Sequence, residues 1–314
     1  MLSAGDVAGA ALLAEQALTA RCEVQDVQAL FRGLAEHGGR GLFPLGDPLS
    51  AARVVARAHV VAYEGDYDYA LPLLVKAQVY SADIPWAIGV PWLIGPDAAG
   101  AIDVRTVINA AVGLLQIMRP LADAGHTSHI EPYLTLARNS VALHGDNGPL
   151  LSAVAYLARY FDLEYAARCA QAGFDLAPSH PAGAVLGLTR RDQGRDDAAI
   201  AAFEAALEYD PAGVGVLTDL GELLLDNGRP EEARSYAMKV LEQESDNLCA
   251  QLTVHGANFL LTRKEADLEA IMRIQRTSSA QTHAHTHATK LLTSVIQRTA
   301  VRTAVFGRTS EAGR

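Results

Sequence analysis

Cysteine is scarce in this chain of 314 residues: only Cys22, Cys169 and Cys249 occur, far apart and with no Cys-x-x-Cys pair. That excludes a disulfide framework and a four-cysteine zinc module, and it fits reduced thiols in a reducing, cytoplasmic setting. No run approaches the roughly 20 apolar residues that a membrane span needs, so no membrane role is expected. The opening MLSAGDVAGAALLAEQ has no basic stretch and carries early acids, and it reads as a poor signal peptide. There is no Gly-x-Ser-x-Gly, no glycine-rich phosphate loop and no alternating strand pattern to present either. The paired acids Asp196-Asp197 and Glu231-Glu232 fall at helix starts, where capping explains them without catalysis. No catalytic residue is expected.

Half of the residues are hydrophobic, which supplies enough apolar material for an ordered protein. The net charge is -10, and nucleic-acid binders are usually basic over the contacting domain, so nucleic acid is not an expected partner. The charge is uneven. From Ile271 to Arg314 there are Arg273, Arg276, Lys290, Arg298, Arg302, Arg308 and Arg314 against only Glu311. That basic tail has no interleaved aromatics apart from Phe306. It fits a cap that faces an acidic array, or a solvated face.

Internal repetition decides the fold. The pairs Leu186-Gly187 and Leu220-Gly221 lie 34 residues apart, as do Gly194 and Gly228, Ala199 and Ala233, and Phe203 and Ala237. Gly256 follows Gly221 by 35 residues, and Pro178 precedes Pro211 by 33. Small residues at Gly187, Gly221, Ala199 and Ala233 allow two antiparallel helices to approach. Gly194 and Gly228 fall between helical patterns, where a left-handed turn residue is expected. Pro230 suits the first turn of a helix, since its missing N–H is not needed there. Leu217, Leu220, Leu224 and Leu225 form an apolar stripe at helical spacing. A hairpin of this size cannot bury such a stripe alone, and stacking on its neighbours supplies the cover.

The Leu-Gly pairs, the turn glycines, Ala199, Phe203 and the closing Pro211 resemble the tetratricopeptide repeat family and its 34-residue period. The likeness is strong over residues 147–246 and weaker at 51–84 and 247–276. Arg190 stands where the family has an aromatic, and Ser245 where the last repeat would close on proline. The resemblance implies an all-α fold, a right-handed superhelical solenoid of antiparallel helix hairpins with a C-terminal capping helix. The expected divisions are a divergent N-terminal hairpin at 1–50, a repeat at 51–84, and a degenerate repeat with a Pro/Trp insertion at 85–146. A contiguous array at 147–276, a capping helix at 277–306 and a disordered tail at 307–314 complete the chain. The capping helix is expected to turn Leu291, Leu292, Val295 and Ile296 inward.

The resemblance also implies a non-catalytic scaffold or adaptor, regulatory in one version, that binds a protein or peptide on its concave surface. In the family's phase His59 and Tyr63 face that surface from the early repeat, and Thr218, Glu222, Leu225 and Asp226 from the late one. The lysine, arginine and asparagine that grip a C-terminal carboxylate in some members are missing there, which argues against chaperone tails as partners. Glu222 and Asp226 favour a basic or amide-rich ligand by the sign of their field. Trp86 and Trp92 fit either an interaction loop or a plug in a defective repeat. His283 and His287 are four apart, on one face of a helix, and could chelate a divalent metal. His285 points elsewhere, and the alternative is a polar helix start with incidental histidines. Asp267 or Glu269 from the preceding helix would strengthen such a site. No other cofactor is expected. A metal-dependent enzyme or accessory protein built on this histidine cluster is the competing function. The C-terminal helix could equally pair with a second chain, so a monomer or a homodimer is expected.

Overall fold

The computed structural model describes residues 6–20, 27–46, 49–95, 97–280 and 282–306, with side chains as far as Ser294. Every regular element among the described residues is helical. Cys22 and the expected tail at 307–314 lie outside the described residues, as do the side chains of Val295, Ile296, Arg298, Arg302 and Phe306.

The chain divides into two compact units, Met1–Gln193 and Gly194–Arg314. The first holds α1 (Val7–Thr19), α2 (Gln28–His37), α3 (Ala51–Tyr63), α4 (Tyr67–Tyr80), α5 (Pro91–Ile94), α6 (Ala98–Ala101), α7 (Val104–Asp123), α8 (Glu131–Leu143), α9 (Gly148–Ala158), α10 (Leu163–Leu176) and α11 (His180–Asp192). The second holds α12 (Asp196–Tyr209), α13 (Val214–Asp226), α14 (Pro230–Gln243), α15 (Leu248–Thr262), α16 (Glu265–Thr277) and α17 (His283–Phe306). Long helices adjacent in sequence pack as antiparallel hairpins, among them α3 with α4, α9 with α10, α13 with α14 and α15 with α16.

Short polar residues set where many of these helices start. The carboxylate of Asp66 accepts from the Tyr69 amide at 3.2 Å, and that of Asp162 from the Tyr165 amide at 3.0 Å. Asn147 and Asn247 do the same for α9 and α15 at 2.9 and 3.1 Å. Each bond satisfies an amide that the helix itself leaves open. Gly194 and Gly228 adopt φ of +70° and +73°, the left-handed conformation expected of them. Pro230 opens α14, and Arg229 forks onto Glu232 in its first turn with two 2.7 Å bonds. The stripe Leu217, Leu220, Leu224 and Leu225 is buried, and Leu217 shares a core with Ala237, Val240 and Ala250.

The Pro/Trp insertion is where the first unit departs from regular repeats. Trp86 is 3% exposed and Trp92 7%, so neither is an interaction loop. They are plugs. Trp92, on the single turn of α5, lies beside Tyr67 and donates its indole N–H to His59 Nδ1 at 2.9 Å.

The crossing of α9 and α10 is tight at two glycines. A Cβ on Gly148 would stand 2.6 Å from the Ala177 Cβ, and one on Gly173 would stand 2.6 Å from the Ser152 hydroxyl and 3.0 Å from the Gly148 carbonyl. The repeat glycine Gly221 is less crowded: its Cβ would meet the Ala233 carbonyl at 3.4 Å. Small size at Gly221 therefore admits a methyl, whereas at Gly148 and Gly173 it does not.

Candidate functional site

In the second unit, two helix faces meet. Glu222 and Asp226 lie one turn apart on α13, and His283, His287 and Lys290 follow one another along α17. His283 Nε2 stands 3.1 Å from both oxygens of the buried Glu222 carboxylate, and the His287 Nδ1 lies 3.8 Å from one of them. Lys290 pairs with Asp226. The Cys249 thiol, near the start of α15, completes a group with Glu222 and His283 whose ligand atoms all fall within 4.8 Å of one another. His287 is buried and parallel to His283, with ring centroids 6.3 Å apart. Burial lowers its pKa, and the Glu222 charge opposes that shift. The arrangement can hold a divalent metal or stand as a polar clasp.

Glu222 and Asp226, expected to face a peptide ligand, thus face the chain's own α17 instead. Thr218, one turn before Glu222, is half-buried. His285 turns away, as expected, with Nδ1 3.0 Å from the Gln275 carbonyl. Asp267 does not join the cluster; it pairs with His255 at 2.9 Å. Cys249 was missed, because nothing in its local sequence marks it.

The early pair is also covered. His59 is fully buried, stacked on Phe31 at 4.9 Å and bonded to Trp92, so it presents nothing to a ligand. The family's phase would turn His59 toward the inner face, but α5 folds over it. Tyr63 is half-buried, donating its hydroxyl to Gln28 at 2.7 Å under the Arg32 guanidinium. Desolvation depresses the His59 pKa from 6.5 to about 3. Unfolding frees this imidazole to take up a proton, so its contribution is fully present above pH 6.5 and is lost as pH falls toward 3. Within that window it should cost about 1.4 kcal/mol of stability per pH unit. Denaturant unfolding between pH 7 and 4 should show this slope in the wild type and a flatter one in His59→Gln; equal slopes would refute it.

The first unit contains an open groove of ≈ 630 Å³ between α7, α9 and α11. Its walls are Ile108, Val112, Leu115, Tyr156 and Val185, and Val112 is 53% exposed. Ala153 and Ala182 form a floor of small side chains, which is why a hollow exists there. The Ser152 hydroxyl, also lining it, is buried without a hydrogen-bond partner. These residues were not singled out in sequence. The signal was available in α7, where Ile108, Val112 and Leu115 make a second apolar stripe behind the buried one of Val107, Ala111, Leu114 and Met118.

Residues 185–247 match the Tetratricopeptide repeat family. This match covers α12, α13 and α14 and most of α11, and helices outside it pack as similar hairpins. No curated protein matches the chain at a significant level. Among solved structures, YrrB, described as a TPR protein with an unusual peptide-binding site, is 16% identical, with 60% of this chain and 92% of that chain covered and a TM-score of 0.44. A tetratricopeptide repeat protein from Parabacteroides merdae is 10% identical, covering 91% of this chain and 99% of its own, with a TM-score of 0.46. MamA is 18% identical over 60% of this chain and 94% of its own, with a TM-score of 0.39. All three TM-scores fall below 0.5, so these likenesses add nothing to the family match at 185–247. No described helix is long and apolar enough to cross a membrane.

Proposed function

We propose that the chain is a non-catalytic protein-interaction scaffold that takes an apolar peptide segment of a partner in the groove of α7, α9 and α11. The observation that carries this reading is the groove itself. Its volume of ≈ 630 Å³ falls among ligand sites, which span about 300–1,000 Å³. Its walls come from α7, α9 and α11, the positions where the family's first helices line the binding face. An apolar side chain fills the hollow over Ala153 and Ala182. A cytoplasmic, regulatory role belongs to the same proposal, supported by a sequence with only three cysteines and no Cys-x-x-Cys pair.

Selection of peptides from a random library on the full chain should enrich sequences with adjacent apolar anchors. Val112→Glu places a charge on the exposed wall, and Ala153→Trp fills the floor. Each should weaken the selected peptide by about tenfold or more, equivalent to 1.4 kcal/mol, with Val112→Glu melting as the wild type does. Peptides that bind both variants undiminished would refute the groove as the site.

A further inference from the structure

We propose that Glu222, Cys249, His283 and His287 form a zinc site that fastens α17 to α13 and α15. It lies in the second unit and is independent of the peptide groove. Three side chains from three helices converge, the ligand atoms of Glu222, Cys249 and His283 lying within 4.8 Å of one another, and His287 Nδ1 stands 3.8 Å from Glu222. Zinc sits about 2.0–2.3 Å from nitrogen, oxygen and sulfur ligands, which sets neighbouring ligands of a tetrahedron roughly 3.3–3.8 Å apart. The Glu222–His283 separation of 3.1 Å and the Glu222–His287 separation of 3.8 Å are near that edge. Cys249 and His283 each stand at the start of a helix and are partly exposed, so small rotations close the rest.

Donor accounting points the same way. The Thr253 hydroxyl donates to the Cys249 carbonyl at 3.1 Å, so it meets His287 Nε2, 3.4 Å away, with its lone pairs. His287 therefore carries its proton on Nε2, and its Nδ1 lone pair faces the Glu222 carboxylate. Two acceptors opposed across 3.8 Å in a buried place are reconciled by a cation between them. The Thr253 contact is also the kind of outer hydrogen bond that fixes the tautomer and orientation of a metal-bound imidazole. Thiolate, imidazole and carboxylate together suit zinc, whereas magnesium and calcium take sets of oxygen. On binding, the Cys249 thiol gives up its proton to solvent and its sulfur bonds the ion. With four protein ligands the site is structural.

The test uses the full, untagged chain freed of metal and titrated with zinc chloride in a calorimeter. One zinc per chain and a raised melting temperature are expected. Cobalt loading should give a thiolate charge-transfer absorption that Cys249→Ser abolishes. Cys249→Ser, Glu222→Gln and His283→Ala should each weaken zinc by about tenfold or more, and His285→Ala, which faces the Gln275 carbonyl, should leave it unchanged. His283 is 46% exposed, so its replacement folds even if a buried variant does not. Absence of stoichiometric zinc overturns the proposal. So does binding that survives Cys249→Ser and His283→Ala, or that falls with His285→Ala, because surface histidines would then be capturing the ion.

Discussion

Gly173→Ala should destabilise the protein, and Gly221→Ala should stabilise it. Both glycines lie inside helices, where alanine is preferred by up to about 1 kcal/mol. The difference is what the new methyl meets. On Gly173 it stands 2.6 Å from the Ser152 hydroxyl, which can turn aside, and 3.0 Å from two backbone atoms of α9, which cannot move without parting the helices. Overpacking of this kind costs about 1–3 kcal/mol, which exceeds the gain in propensity. On Gly221 the nearest atoms are the Ala233 carbonyl at 3.4 Å and the Thr253 methyl at 3.5 Å, ordinary contact distances. Its net effect should be a gain of about 0.5–1 kcal/mol. Gly221→Leu carries further carbons into that contact and should be destabilising again. Equilibrium unfolding in urea, followed by circular dichroism, reads all three. A shift of the same sign for both alanine variants would show that the two crossings are equally tight.

Removal of residues 288–314 should lower the melting temperature and promote association. Ala288 and Leu291 are buried, and Leu291 lies over Gly256, within 3.4 Å of where its Cβ would be, beside Leu225. Loss of this cover exposes the last hairpin's apolar face, as an uncapped repeat array does. Burial of one leucine and its neighbours is worth about 2–3 kcal/mol, or a fall of about 10 °C for a unit of this size. The Lys290–Asp226 pair is largely exposed and adds little. Thermal melts and size-exclusion chromatography check both parts. A truncated chain that melts as the whole one does and changes from dimer to monomer would make α17 an interface and not a cap.

The repeats were legible because their spacing carries them: Leu220, Ala233 and Gly228 have local jobs, in a stripe, a crossing and a turn. Gly173 was not legible as a tight crossing, because that depends on the partner helix lying within reach. His59 was assigned to a binding face by phase alone, and an inserted turn carrying Trp92 closes that face. His283 and His287 stood out by spacing, and Glu222 by its helix face. Their meeting joins residues 61 apart in sequence, which no periodicity records. The groove went unread because a hollow is made by alanines, which look unremarkable along a chain.

The N-terminal amides of α4, α9, α10 and α15 are held by a residue at their own border, and most packing partners are helices close in order. Such a chain can assemble as it is synthesised, hairpin after hairpin, without waiting for distant segments. The contacts from α17 back to Glu222 and Asp226 reach across three helices. They therefore form only after α17 has been made, and a nascent chain stopped short of it exposes Glu222, Asp226 and Leu225, which α17 covers.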